Sequence, residues 1–177
     1  MELVDLKYNI LVQRYKNKMF GYALYMLKNR MDAEDVTQEA MIRLWKNVNS
    51  FKVRAASSYI MRITHNLCID HIRKATISKN QFVSIDDSFL ELPDNDETNS
   101  PEMETQKNMI GQELESLIRQ LPENYRAPFV LYQLQGFKYK EIGQILDMTL
   151  SAVKVNIMRA RQKLQDDLRL YENHEIQ

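Results

Sequence analysis

The sequence predicts an all-α protein: two small helical domains joined by an acidic flexible linker, the C-terminal domain carrying a helix-turn-helix. Three observations carry that expectation. Four Gly and four Pro in 177 residues, beside 10 Met and abundant Leu and Ile, give a composition of helix formers with little punctuation. Apolar residues recur at spacings of three and four along most of the chain, the period of a half-buried helix. One stretch without a sustained period, residues 78–105, separates two periodic blocks. At this length the chain suits one domain or two small ones. Each half has a thin core, so neither is expected to be very stable alone.

The first helix is expected from about Leu3 to Lys28. The second is expected to start with Asp32 as N-cap, Asp35 lying three residues on, and to run to about Val48. Its apolar positions Val36, Ala40, Leu44 and Val48 keep one face, and Trp45 is expected in the core. A short polar and basic loop, Asn49 to Ser58, leads to a third helix over about Ala56–Ile77, with Ile60, Ile63 and Leu67 facing inward. The segment from Ser78 to Thr105 includes Leu-Pro-Asp-Asn-Asp-Glu-Thr-Asn-Ser-Pro, turn-rich and acidic, and reads as a tether. Helices then follow at about Gln106–Arg119, Pro122–Gln135, Tyr139–Leu146 and Leu150–Leu170. Pro122 suits a first helical position. Pro128 removes an internal hydrogen bond and is expected to kink or shorten its helix, which Gly136 stops.

Zero net charge conceals an uneven distribution. Residues 1–77 hold 13 Lys and Arg against 7 Asp and Glu, a net of +6. Residues 78–105 hold Lys79 against eight acids (Asp86, Asp87, Glu91, Asp94, Asp96, Glu97, Glu102 and Glu104), a net of −7. Residues 106–177 carry 10 against 9, a net of +1. The whole-chain value argues against a nucleic-acid partner; the block values allow one. No apolar run is long enough to span a bilayer, and the first residues show no signal peptide. The single Cys68 fits a reducing cytoplasm.

Residues 137–164 are the most informative. A short helix to Leu146, a turn at Asp147 and Met148, and Thr149 as N-cap of a second helix make a helix-turn-helix. The second helix places Val153, Ile157, Ala160, Leu164 and Leu168 on a buried stripe. The opposite face carries Ser151, Val155, Met158 and Gln162, flanked by Lys154, Arg159 and Arg161. A helix with one buried stripe and basic flanks, angled by a shorter helix, fits the DNA major groove.

Three motifs occur in order: Asp32-Ala-Glu-Asp-Val-Thr-Gln-Glu-Ala-Met-Ile-Arg-Leu-Trp45, then Ile63-Thr-His-Asn66-Leu-Cys-Ile-Asp70-His-Ile-Arg73-Lys74, then Leu121-Pro-Glu-Asn-Tyr-Arg126 leading to the helix-turn-helix and Arg159-Ala-Arg161. Together, from about Leu11 to Leu164, they resemble extracytoplasmic-function sigma factors, the minimal bacterial members of the sigma-70 family. The resemblance implies residues 1–77 for core RNA polymerase and the −10 element, 78–105 as acidic linker, and 106–177 for the −35 element. It assigns polymerase binding to Asp35, Gln38 and Glu39. It assigns −10 contacts to Lys52 and Arg54 in the loop and to Ser58, Tyr59, Arg62, Asn66 and Arg73 on the third helix. It assigns −35 contacts to Ser151, Lys154, Val155, Met158 and Arg159.

The residues agree with those roles on their own terms. Asp35, Gln38 and Glu39 lie within one helical turn. On the third helix Ser58, Tyr59, Arg62, Asn66, Ile69 and Arg73 share a side; a ring can stack on a base and the cations can neutralise phosphate. Many family members carry Trp where Tyr59 falls, and Gly-Thr and Arg where Ser151-Ala152 and Asn156 stand. Val155 and Met158 cannot make bidentate hydrogen bonds but can touch thymine methyls, so DNA shape contributes to the −35 preference.

His65, Cys68 and His71 spread around the helix and converge poorly on one ion, so no metal is expected. No nucleophile–base pair or glycine-rich phosphate loop stands out, so neither catalysis nor a cofactor is indicated. Promoter DNA and core polymerase are the implied partners, without membrane insertion. The family commonly has anti-sigma inhibitors, and no residue names one here. A free-standing operator-binding regulator is the alternative from another class, and the N-terminal three-helix block argues against it. The acidic tether is expected to act within polymerase, in a basic channel built for nucleic acid.

Overall fold

The computed structural model describes residues 3–50, 56–82 and 105–175. They form seven helices and no strand: α1 Leu3–Leu27, α2 Arg30–Asn47, α3 Ala56–Phe82, α4 Thr105–Gln120, α5 Glu123–Phe129, α6 Tyr139–Leu146 and α7 Leu150–Glu175. A π-helical turn, Val130–Leu134, continues α5. The loop holding Lys52 and Arg54, and the tether between α3 and α4, lie outside the described residues.

The first three helices pack on one another. α1 contributes Leu11, Tyr15, Met19, Tyr22, Ala23 and Met26, a 3–4 stripe buried against Val36, Ala40 and Leu44 of α2 and Ile60, Met61 and Cys68 of α3. Two buried hydroxyls sit in this unit without loss, because each donates to a carbonyl one turn back: Thr37 to Ala33 (2.6 Å) and Thr64 to Ile60 (2.9 Å). The second unit wraps α7 with α4, α5 and α6. Val153, Ile157, Ala160 and Leu164 of α7 are buried, as their spacing predicts, and Leu168 is half-buried.

The two thin cores are not separate. α6 lies against α3, and α4 and α5 touch α1, so the buried side chains of both halves form one continuous cluster. Arg126 sits at the seam, 5% exposed. Its guanidinium donates to the carbonyls of Arg119 (2.6 Å), Leu121 (3.0 Å) and, across the seam, Met26 (3.3 Å).

Several boundaries differ from the sequence reading. Lys28 takes a left-handed conformation (φ 61°) that stops α1, and the extended Asn29 then caps α2, its side chain accepting from the Asp32 amide at 3.0 Å. Asp32 is therefore inside the first turn and is not the cap; Asn is as effective a cap as Asp. α3 continues to Phe82, taking in the first residues assigned to the tether, since Ser78 to Phe82 contain no Gly or Pro to stop it. Pro122 precedes α5 instead of opening it (φ −52°, ψ 143°), and its carbonyl accepts from Tyr125 and Arg126. Pro128 does end the regular α pattern, one residue later. The widened turn beyond it closes with Gln135 bonded back to Val130 and Phe137 to Leu131, around Gly136 at φ 75°. On α3, Met61, Thr64 and Cys68 are fully buried while Ile63 is half-buried, because three helices cover α3 instead of one.

Arg126→Met is expected to lower stability by roughly 3 kcal/mol, the range for losing hydrogen bonds from a charged donor to buried carbonyls. In a chain of this length that is a fall in Tm of about 6–12 °C by calorimetry; an unchanged Tm would contradict the role given to this side chain.

His65 supplies a pH dependence. Its Nδ1 lies 2.8 Å from the Tyr22 hydroxyl, and burial pushes its pKa down from 6.5 to about 4. The ring is thus neutral in the fold but titrates normally in the unfolded chain. Its contribution is intact above pH 6.5 and is lost as the pH falls from 6.5 towards 4. Urea midpoints measured at pH 7 and pH 5 are expected to drop more in the wild type than in His65→Gln. Equal drops would show that this ring does not titrate differently on folding.

Candidate functional site

Three solvent-facing strips stand out, one on each of α2, α3 and α7. On α2, Asp35 and Gln38 are exposed and Glu39 is half-buried, held by Arg43 at 2.9 Å. The same arc, about 120° wide at 100° per residue, also carries Met31, Ile42 and Trp45. All three are large apolar side chains with much of their surface in water, Met31 being 74% exposed. Trp45, expected in the core, is instead at the surface: it stands one residue past buried Leu44, rotated off the stripe, 44% exposed and in a T-shaped contact with Tyr8 (centroids 5.0 Å). The N-terminal acids favour the helix macrodipole, and Asp32 also pairs with His71 of α3 at 3.2 Å.

On α3, Arg62, Asn66 and Arg73 are exposed, and Ser58, Tyr59 and Ile69 are half-buried. They fall within an arc of about 100° on the side away from Ile60, Thr64 and Leu67. His65 and Cys68 turn inward and His71 turns to α2, so the three point to different neighbours. Burial pushes the Cys68 thiol up to about 12, which keeps it protonated and unreactive.

On α7, Thr149 Oγ1 accepts from the Ala152 amide at 3.2 Å and fixes the helix start. The preceding turn is tight. Asp147 is left-handed (φ 55°), Met148 N bonds to Gly143 O at 2.9 Å, and a Cβ on Gly143 would meet the Met148 carbonyl oxygen at 2.8 Å, so only glycine fits there. Glu141 closes the other end of α6 by accepting from the Lys138 amide at 2.8 Å. Held in this way, α7 presents Ser151, Lys154, Val155, Met158 and Arg159 to solvent, Met158 being 62% exposed. Arg161 leaves that face: its guanidinium lies over the Tyr132 ring (5.5 Å) and reaches Gln133.

Comparison with known proteins agrees with this arrangement. The Sigma-70 region 2 family model matches residues 11–77, and the Sigma-70 region 4 model matches residues 111–164. The chain is 33% identical over 165 residues to the ECF RNA polymerase sigma factor SigW of Bacillus subtilis, covering 90% of this chain and 87% of that protein. The chain belongs to the ECF sigma factors of the sigma-70 family. It is 30% identical over 158 residues to SigE of Mycolicibacterium smegmatis, where the match covers 89% of this chain but spans only 60% of the relative. The fold is shared with the sigma factor RpoE, solved in complex with the anti-sigma factor NepR from Bartonella quintana (TM-score 0.72, 18% identity, 89% and 94% of the two chains). It is also shared with CnrH, solved with the cytosolic domain of CnrY (TM-score 0.62, 20% identity, 92% and 88%). Sigma factors are initiation factors, not enzymes. Among the described residues no helix is long and apolar enough to cross a membrane.

The strips on α3 and α7 are those the sequence pointed to. Met31, Ile42 and Trp45 were missed as surface residues. Their spacing with Asp35 and Gln38 was the available signal, since large apolar residues interleaved with polar ones on one helical face need not be core.

Proposed function

We propose that this sigma factor docks on core RNA polymerase through the α2 strip and directs the holoenzyme to promoters in the cytoplasm. In this reading residues 1–77 read and open the −10 element through Ser58, Tyr59, Arg62, Asn66 and Arg73, with Lys52 and Arg54 adding phosphate contacts. Residues 106–177 read the −35 element through Ser151, Lys154, Val155, Met158 and Arg159. Residues 78–105 form the acidic connection. The observation that carries the reading is the exposed face of α7, where apolar Met158 is 62% and Val155 38% exposed while the tight turn behind them fixes their direction. A helix anchored so firmly and left with an apolar, basic-edged face is suited to the major groove. An anti-sigma protein is a further proposed partner. In its support, both structural neighbours named above were solved with such an inhibitor or a partner's cytosolic domain. The decisive experiment is transcription by the chain with core polymerase on a genomic library, with start sites mapped. No sequence common to the mapped upstream regions would sink the promoter-reading role.

Two mutational outcomes separate the strips. Lys154→Ala and Arg159→Ala are expected to weaken −35 binding evenly across sequence variants and to reduce the salt dependence by about one counterion each, as lost phosphate contacts do. Met158→Ala is expected to change the preference at one thymine by about 1 kcal/mol, the lower end for a base contact. An even loss from Met158→Ala across a panel of −35 variants would contradict direct readout.

Asp35→Lys and Ile42→Ser are each expected to weaken competition for core polymerase by about tenfold, with circular dichroism unchanged. Competition equal to wild type by both would remove the polymerase assignment from α2.

A further inference from the structure

We propose that Met158, on the exposed face of α7, is a site of reversible oxidation: a peroxide converts its thioether to the sulfoxide, and the thymine preference of that face is lost until the sulfoxide is reduced. The site itself rests on exposure and sulfur chemistry; the effect assigned to it rests on the −35 reading above.

The sulfur atoms of the chain divide sharply. Met19, Met26 and Met61 are fully buried and Met41 and Met148 are half-buried. Among the described side chains only the thioethers of Met31 and Met158 are exposed. Cys68 is buried as well, and its thiol stays protonated, so it supplies no thiolate to compete for an oxidant. A thioether carries no proton to lose, so exposure decides its reactivity. Both reachable sulfurs stand on the solvent-facing strips, Met31 on α2 and Met158 on α7; those of the frame are covered wholly or in part.

The reaction balances with the peroxide alone. A lone pair of the sulfur attacks one peroxide oxygen; an S–O bond forms and the O–O bond breaks. Sulfur gives up two electrons and the peroxide takes them. The departing hydroxide collects the proton of the transferred oxygen and leaves as water. Reduction uses methionine sulfoxide reductases, one for each epimer, in which two thiols become a disulfide and the sulfoxide oxygen leaves as water.

The product is a different side chain. The thioether offers a flexible apolar surface that can lie on a thymine methyl. The sulfoxide puts a strong acceptor oxygen in the same place. In the major groove thymine presents its methyl group and the O4 acceptor, so the new oxygen meets no donor on that base. Covering it costs free energy unless a donor is found. The nearest donor is on the helix itself: Lys154 lies one turn back, is exposed and has no ion pair among the described residues. An ammonium turned to the sulfoxide is turned away from phosphate. Met158 stands outside the buried stripe of Val153, Ile157, Ala160 and Leu164, so its oxidation changes the face without opening the core.

The test treats the full chain with hydrogen peroxide, removes it, and only then adds core polymerase. Peptide masses are expected to show oxygen at Met31 and Met158 before Met19, Met26 and Met61. Preference is read as the ratio of binding between a −35 element and its variants at the contacted thymine, a ratio that altered polymerase affinity leaves unmoved. The ratio is expected to be about fivefold before treatment, about one after it, and about fivefold again after both reductases with dithiothreitol. Met31→Leu is expected to lose its preference on oxidation as the wild type does. Met158→Leu is expected to keep after peroxide whatever ratio it has before. Met158→Gln, with a polar acceptor built in, is expected to show a ratio of about one without any peroxide. A ratio that survives complete conversion of Met158, or one lost equally in Met158→Leu, would overturn the proposal, as would oxidation of the buried methionines ahead of Met158. An untreated chain with no preference at any position would overturn the −35 reading itself, and is told apart because no peroxide is involved.

Discussion

One buried guanidinium ties together the ends of two helices and the two halves of the molecule. A helix leaves its last four carbonyls without intrahelical partners. α1 ends at Leu27 and α4 at Gln120, and Met26 O and Arg119 O are among those orphans. Arg126 satisfies both, together with Leu121 O just beyond α4. A cation at two helix C-termini is also favoured by their dipoles. Burial opposes the charge and pushes the Arg126 pKa down, while Glu123 and Tyr22 act in the other direction. Lysine would be a poor replacement, since three carbonyls in different directions suit a planar fork of donors and not a point charge. Arg126 lies in α5, whose continuation leads to the helix-turn-helix, so the direction in which α7 is presented depends on this anchor.

Periodicity made the helices and their buried stripes legible in the sequence. The turn before α7 was legible as well, because Thr149 is a side-chain device that acts over three residues. What failed was less local. The start of α2 depends on Lys28 adopting a left-handed conformation, which no composition rule requires of lysine, and that shift handed the cap from Asp32 to Asn29. Hydrophobicity alone points Trp45 inward, yet it sits 100° past the stripe, 44% exposed and in T-shaped contact with Tyr8. Ile63, expected inward, is half-buried while Met61 is fully buried, because a helical wheel assumes one covering neighbour, whereas α3 has α1, α2 and α6. The seam was invisible for the same reason: Arg126 and Met26 are 100 residues apart, and nothing local to either marks the pairing.

Under the proposed −35 role, the distribution of charge on α7 bears on specificity. The basic residues at the α7 face, Lys154 and Arg159, are exposed with no ion pair among the described residues, so phosphate can claim them without first breaking an internal bond. Arg161, two residues on, is already engaged with Tyr132 and Gln133, and serves the frame more than the face. Between the two free cations stand Val155 and Met158, which offer surface but no donors. In the proposed −35 role, affinity on this face would be largely electrostatic and salt-sensitive, with sequence preference resting on methyl contact and groove shape.

The polar contacts across the seam are unequal. The Lys18 bond to the Gln135 carbonyl is exposed, so water competes for both groups. Of the three carbonyls on Arg126, Arg119 O (2.6 Å) and Leu121 O (3.0 Å) belong to the C-terminal half, and Met26 O (3.3 Å) belongs to the N-terminal half. The guanidinium is therefore held chiefly by the half that carries the helix-turn-helix, and its longest bond is the one that crosses to α1.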